Sequence, residues 1–222
     1  RDVAPSRGLG DVYKRQLLCL FFLVELNATP FYFKSYDMED GLSNNHVTCC
    51  VQDDYGFMWF GTRDGLNRFD SKKFYTFKSY SSEKGSLMSS YILDLAKSPT
   101  GQIWVSTNLG LQKYDYQTDS FTLIDFTKGI NCYSLQFDQQ GNLWMILNGY
   151  SLVKYNESQG MHLNYMYKGS DPITSFYITP QDQIWATTAN GNVVFLDDDK
   201  NEFIALDLSL IHISEPTRRS YI

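Results

Sequence analysis

Four predicted hairpin turns carry the side chains best suited to binding chemistry, and each turn follows a tryptophan by four or five residues. The first turn contains Arg63 and Asp64, and the later turns contain Asn108, Asn148 and Asn190. Guanidinium, carboxylate and amide groups form paired hydrogen bonds with neighbouring hydroxyl groups. The turns therefore predict a binding site for a hydroxyl-rich ligand such as a sugar. Asn and Asp also stabilise turns through local backbone hydrogen bonds, so a purely structural role is the alternative.

Residues that could catalyse a reaction are present, but they do not follow a known catalytic motif. His46 and His162 lie in different repeats, and neither belongs to a nucleophile or metal-binding pattern. Carboxylate runs at 53–54 and 197–199 could supply the acid and base of a glycosidase. They fall at predicted turns, where Asp commonly bonds to the local backbone. We therefore expect no catalytic residue, no metal site and no cofactor.

The turns recur because the sequence is a repeat whose period is marked by tryptophan. Trp59, Trp104, Trp144 and Trp185 are separated by 45, 40 and 41 residues. Each repeat contains four short segments of strand composition, separated by Gly, Asp, Asn and Ser. A period of about 40–45 residues with four strands is typical of a β-propeller blade. The sequence predicts an all-β fold of about four four-stranded antiparallel blades, with the four tryptophans in the blade cores.

The blade pattern also predicts domain boundaries. A partial propeller is expected at 29–207, with blades at about 41–85, 86–126, 127–169 and 170–207. Four blades do not close a comfortable ring, so we expect further blades in the natural protein. FYFKSY at 31–36 precedes the first blade and is predicted to be the closing outer strand of a last blade that this chain lacks.

Both ends of the chain are predicted to be artefacts. LSLIHI at 208–213 can be encoded by DNA whose reverse complement encodes DVYKRQ, the residues at 11–16. We therefore assign 1–16 and 208–222 to a sequencing adaptor and exclude them from reasoning about the fold. The full chain has a net charge of −6, and these ends carry six basic but only three acidic residues. The rest is more acidic still, which argues against nucleic acid or an anionic membrane as a partner.

An apolar run follows the first adaptor segment. LLCLFFLVELNA at 17–28 is too short to span a membrane and ends in a small residue. This pattern is typical of the apolar and cleavage regions of a signal peptide. We predict that 17–28 is a partial signal peptide and that the protein is exported, with an ordinary buried strand or helix as the alternative.

The first repeat resembles the two-component regulator propeller repeat. DGLSNNHV at 40–47 matches the opening of that family's pattern, GLS-N-x-V. QDDYGFMWFGTRDGLNRFD at 52–70 matches its QD-x-x-G core, its GT after the Trp and its DGL-x-R-Y-D, with Phe69 in place of Tyr. The second repeat keeps much of this pattern. The third and fourth repeats are degenerate, since Leu147 and Ala189 interrupt the GT-type turn.

The resemblance implies a fold and a function. Members of this family form the periplasmic sensor region of hybrid two-component systems of Bacteroidetes, with two seven-bladed propellers, a membrane span, a histidine kinase and a DNA-binding output. Oligosaccharides bind the sensor region of a dimer and control polysaccharide-utilisation genes. This chain would then be a periplasmic fragment without enzyme activity. Its partners would be an oligosaccharide, the remaining blades, the downstream domains and a second copy in a homodimer.

A second function remains open on the sequence alone. Some secreted propeller enzymes, such as lyases and glycosidases that act on polysaccharides, place their catalytic residues at the central channel. A cluster of catalytic residues on the inner strands would favour this alternative. A later apolar span followed by a kinase would favour the sensor.

Overall fold

The protein is described here by a computed structural model, which covers residues 32–80, 84–197 and 200–206. The chain divides into two compact units, Arg1–Ser35 and Tyr36–Ile222, and every described strand lies in the second unit. The predicted adaptor ends and the predicted signal peptide lie outside the described residues.

The described residues form four antiparallel sheets of four strands, and each sheet keeps its strands in sequence order. The first two sheets consist of β1 (Val47–Gln52), β2 (Met58–Thr62), β3 (Gly65–Phe69), β4 (Phe74–Phe77), β5 (Ile92–Lys97), β6 (Ile103–Thr107), β7 (Gly110–Asp115) and β8 (Ser120–Leu123). The last two consist of β9 (Cys132–Phe137), β10 (Leu143–Leu147), β11 (Ser151–Asn156), β12 (Met161–Met166), β13 (Ile173–Ile178), β14 (Ile184–Thr188), β15 (Val193–Asp197) and β16 (Glu202–Ala205). The predicted all-β class and the four blades are confirmed.

The first strands of neighbouring blades contact one another. β1 packs against β5, β5 packs against β9, and β9 also contacts β13. Each first strand has a register shift where it pairs with the second strand, as between Val47 and Cys49 and between Ile92 and Asp94. A bulge of this kind increases the local twist of a strand. The repeated bulge therefore increases the twist of the first strand in every blade.

Three apolar clusters hold the blades together, and each cluster spans two neighbouring blades. The clusters contain, in turn, Trp59 with Ile92, Trp104 with Cys132, and Trp144 with Ile173. β6 and β10 are buried along their whole length, because each lies in a blade with a neighbour on both sides. Trp185 is only half-buried and packs against Phe195. No neighbouring blade covers this side of blade 4 among the described residues.

Polar contacts fix the segment that enters each of the first two blades. Met38–Asp40 forms a short 3-10 turn, and the chain then passes over the first sheet. Ser43 N donates to Asn67 Oδ1 at 3.0 Å, and Asn67 Nδ2 donates to Ser43 Oγ at 2.7 Å. In the second blade Met88 N donates to Gln112 Oε1 at 2.7 Å. An amide on the third strand therefore holds the incoming chain in both blades.

The segment before this 3-10 turn does not form a strand. Residues 32–37 have no regular secondary structure. The closing strand predicted at 31–36 would pair at the outer edge of a last blade. That blade is not among the four described blades. Its pairing therefore stays a prediction.

Candidate functional site

The five predicted site residues lie in equivalent turns at one end of the blades. Each turn joins the second strand of a blade to the third, and the strand order is the same in all four sheets. All five side chains are exposed; they belong to Arg63, Asp64, Asn108, Asn148 and Asn190. The structure therefore places the five on one face of the molecule, which we call the turn face. Strand geometry spreads them across four blades instead of gathering them into one pocket.

A threonine closes the first two of these turns. Thr62 Oγ1 donates to Gly65 O at 2.8 Å and accepts from Asp64 N at 3.1 Å. Thr107 Oγ1 donates to Gly110 O at 3.0 Å in the same way. Gly65 and Gly110 have φ angles of 134° and 136°, a region that other residues rarely adopt. The T-x-x-G pattern thus fixes the backbone from which the candidate ligand-binding side chains extend.

Two of the predicted site residues are already engaged. Asp64 Oδ2 lies 2.6 Å from Lys78 Nζ in an exposed ion pair. Asn148 has a φ of 50° and its Oδ1 accepts from Asn131 N at 3.2 Å. The Asn148 side chain therefore joins its turn to the residue before β9, and it is also exposed.

The structure adds residues that the sequence reasoning missed. The residue just before each inner strand lies beside the turn face: His46, Tyr91, Asn131 and Pro172. Two of them accept backbone hydrogen bonds from the turns: Arg63 N donates to His46 O at 3.3 Å, and Asn148 N donates to Asn131 O at 3.0 Å. The position one residue before each inner strand was the signal available in the sequence. That signal is weak, because the four blades have four different residue types at this position.

Exposed aromatic side chains also lie on the turn face. Tyr91 is 37% exposed and precedes β5, and Tyr150 is 41% exposed in the turn after β10. Aromatic rings next to amides suit the two surfaces of a sugar ring, one apolar and one rich in hydroxyls. Blades 2 and 3 therefore offer the combination of stacking surface and hydrogen-bonding groups that a saccharide needs.

A groove between blades 1 and 2 opens beside the Asp64–Lys78 pair. Two adjoining pockets of about 240 and 450 Å³ share five lining residues: Tyr80, Lys84, Gly85, Ser86 and Phe121. Lys78 lines the smaller one. The groove is open, and its lining combines polar side chains such as Lys84 and Ser86 with the ring of Phe121.

A carboxylate on the inner strands joins blade 2 to blade 3. Asp94 Oδ2 accepts from Leu135 N of the next blade at 2.7 Å, and its Oδ1 accepts from Leu95 N at 2.8 Å. Burial raises the pKa of Asp94 above its usual range, and these two hydrogen bonds offset only part of that effect. Both carboxylate oxygens thus accept hydrogen bonds from backbone N–H groups, which indicates a structural role for Asp94.

The described residues contain no group of three or more His, Cys, Asp or Glu side chains placed to bind a metal ion. None of the helical segments in the described ranges has the length and apolar character needed to cross a membrane.

Comparison with known proteins identifies relatives of part of the chain. Residues 41–64 match the family model described as "Two component regulator propeller". A 66-residue stretch is 46% identical to "Histidine kinase P4" of Formosa agariphila, and covers 29% of this chain but 5% of that protein.

Solved structures share the fold over most of the chain. The extracellular domain of a putative hybrid two component system from B. thetaiotaomicron matches with a TM-score of 0.71 and 23% identity, over 80% of this chain and 26% of its own. A second such domain from that organism matches with a TM-score of 0.61 and 23% identity, over 72% and 22%. Virginiamycin B lyase from Staphylococcus aureus matches with a TM-score of 0.56 and 12% identity, over 72% and 55%. The chain thus spans only a small part of the sensor proteins that it resembles.

Proposed function

We propose that this chain, whose residues 41–64 form a two component regulator propeller repeat, is part of the extracytoplasmic sensor region of a hybrid two-component system. Its fold is that of the extracellular domains of two such systems. Its sequence similarity to a histidine kinase supports a kinase elsewhere in the full protein. The fragment itself binds a ligand and has no enzyme activity.

The ligand proposed for the turn face is an oligosaccharide whose binding controls polysaccharide-utilisation genes. The observation that carries this proposal is the pairing of exposed amides with exposed tyrosines at one end of adjacent blades, as at Asn108 with Tyr91 and at Asn148 with Tyr150. Amides bind sugar hydroxyls, and tyrosine rings stack under the apolar face of a sugar. The remaining blades and a second copy of the protein complete the periplasmic sensor in this proposal.

Binding can be tested on the natural full-length protein that contains this chain. Isothermal titration calorimetry against a panel of oligosaccharides should give saturable binding of one saccharide class. Tyr91→Ala combined with Asn108→Ala should weaken that binding about tenfold or more, which corresponds to about 1.4 kcal/mol. Lys72→Ala is the matched control, because Lys72 is exposed in the turn after β3, at the opposite end of the blades.

Two results would contradict the proposal. The absence of binding by any oligosaccharide would exclude a glycan sensor. Recovery of shortened saccharides, which chromatography of the titrated mixture would detect, would instead favour the secreted propeller enzyme.

A further inference from the structure

At two equivalent positions of the turn face, blade 1 has basic side chains and the other three blades have none. At the turn position of Arg63 the other three blades have Asn108, Asn148 and Ala189. At the position of His46, before the inner strand, they have Tyr91, Asn131 and Pro172. Blade 1 therefore pairs a guanidinium with an imidazole at a place where the other blades have only uncharged groups.

The geometry keeps the Arg63 guanidinium available. Its neighbour Asp64 is the acidic residue of the same turn, and that carboxylate is bound by Lys78 Nζ at 2.6 Å. Arg63 and His46 are joined through their backbones at 3.3 Å. Residues that face each other across antiparallel strands have their Cβ atoms about 5 Å apart. The side chains of Arg63 and His46 therefore extend from the same part of the surface, which we call the blade 1 corner.

Acidic groups near this corner are occupied by local hydrogen bonds. Asp37 and Asp40 belong to the 3-10 turn that precedes β1, and they form a capping box. Asp37 Oδ1 accepts from Glu39 N at 2.8 Å, and Asp40 Oδ2 accepts from Asp37 N at 3.0 Å. Of the acidic residues of this turn, Glu39 remains as an exposed carboxylate that opposes the positive charge of the corner.

From this arrangement we infer that the blade 1 corner binds an anionic substituent of the ligand, so that the sensor recognises an acidic oligosaccharide. The inference rests on the proposed oligosaccharide-sensing function. Arg63 forms paired hydrogen bonds with a carboxylate or sulfate group. The neighbouring sugar units extend over Tyr91 and the amides of blades 2 and 3. The chain has a net charge of −6, so an anion gains affinity only where cations are exposed locally.

The test compares matched saccharides on the full-length protein. Calorimetry is performed with a neutral oligosaccharide, its uronic-acid counterpart and its sulfated counterpart. We expect at least one anionic form to bind at least tenfold more tightly than the neutral form. Comparison of the uronic-acid form with the sulfated form shows which anionic group is preferred. Raising the salt concentration should weaken binding of the anionic form and leave the neutral form nearly unchanged.

Arg63→Gln removes the charge from an exposed turn without changing the backbone contacts of Thr62. This variant should reduce the preference for the anionic form to less than threefold, because it weakens binding of the anionic form more than binding of the neutral form. Lys72→Gln, at the opposite end of the blades, is the control and should leave the preference intact. Neutral binding without any anionic preference, or a preference that survives in Arg63→Gln, would overturn the inference while the sensor function stands. Failure of every saccharide to bind would overturn both.

Discussion

At the residue scale, the blades differ in the group that accepts the tryptophan N–H. The acceptor is a buried carboxylate in two blades, where Trp59 donates to Asp53 at 2.8 Å and Trp144 donates to Asp138 at 2.9 Å. Ser98 occupies this position in blade 2, and Trp104 Nε1 is buried without a hydrogen-bond partner among the described residues. An unsatisfied buried N–H costs about 1–3 kcal/mol. The packing of Trp104 must offset this cost.

Ser98→Asp is therefore expected to stabilise the protein. Its carboxylate can accept from both Gln102 N and Trp104 Nε1, as Asp53 does for the equivalent groups of blade 1. The free energy of unfolding, measured by urea denaturation, should rise by about 1 kcal/mol. The reverse change in blade 1, Asp53→Ser, should lower it. An unchanged or lower midpoint for Ser98→Asp would show that desolvation of the new carboxylate exceeds the gain.

The carboxylate of blade 3 predicts a dependence of stability on pH. Burial tends to raise the pKa of Asp138, but hydrogen bonds from Asn142 and Trp144 outweigh it, and Lys154 lies 3.3 Å away. The pKa is consequently below its usual value of 3.8. Because the folded pKa is lowered, this stabilisation is complete above the unfolded pKa and is lost as the pH falls below it.

Asp138→Asn should therefore be less stable than the natural protein at pH 7 by about 1–3 kcal/mol, and the difference should shrink below about pH 4. Urea denaturation at a series of pH values measures both effects. A difference that stays constant down to pH 2 would mean that the charge of Asp138 does not contribute to folding.

At the element scale, the close approach of neighbouring blades explains one glycine of the repeat. A Cβ atom on Gly61 would lie 2.5 Å from Cys49 Sγ and 2.7 Å from Ile92 Cγ2, which belongs to the next blade. Both neighbours are held within strands, so neither can move away easily. The Gly of the GT pair thus allows β2 to pack against blade 2.

Gly61→Ala is expected to destabilise the protein by about 1–3 kcal/mol through overpacking. Ser106→Ala is the matched control, because Ser106 occupies the same position in blade 2 and already has a Cβ atom. The control should lose no more than the 3.3 Å hydrogen bond from Ser106 Oγ to Asp94 O. Thermal or urea denaturation measures the loss of stability in Gly61→Ala and in Ser106→Ala. Equal losses in both variants would contradict the packing explanation.

Most of the strands could be predicted, because alternation and turn residues are local signals. The sequence predicts four short strands in each repeat, and each of the four described sheets has four strands. Contacts between blades could not be predicted. The bond from Leu135 N to Asp94 and the bond from Tyr116 OH to Asp53 join residues more than forty positions apart. Such pairs depend on how blades pack, which no local pattern specifies.

The candidate site was predictable only in part for the same reason. The turn residues follow each Trp at a fixed spacing, so Arg63 and Asn108 could be identified as neighbours on one face. Tyr91 belongs to that face because β5 pairs with β6, which places it next to Asn108. The ion pair between Asp64 and Lys78 likewise joins two segments of one blade, the turn after β2 and the residue that follows β4. Identifying these partners needs the register of the strands as well as their existence.

At the scale of the whole molecule, stability depends on boundaries between neighbouring blades. Each apolar cluster joins one blade to the next, and one tryptophan contributes to each boundary. In repeat proteins, stability is approximately a sum of repeat terms and nearest-neighbour interface terms. Loss of one boundary should therefore affect the blades on either side of it more than the distant ones.

Trp144→Ala tests this architecture, because the Trp144 ring stacks on Tyr165 and packs with Ile173 at the boundary of blades 3 and 4. The truncation should cost about 3–5 kcal/mol at that boundary. Hydrogen exchange followed by mass spectrometry should show lower protection in β9–β16, while β1–β4 retain theirs. Trp59→Ala should give the opposite pattern, with protection lost in β1–β8. Equal loss in all four blades for both variants would mean that the blades unfold as one cooperative unit.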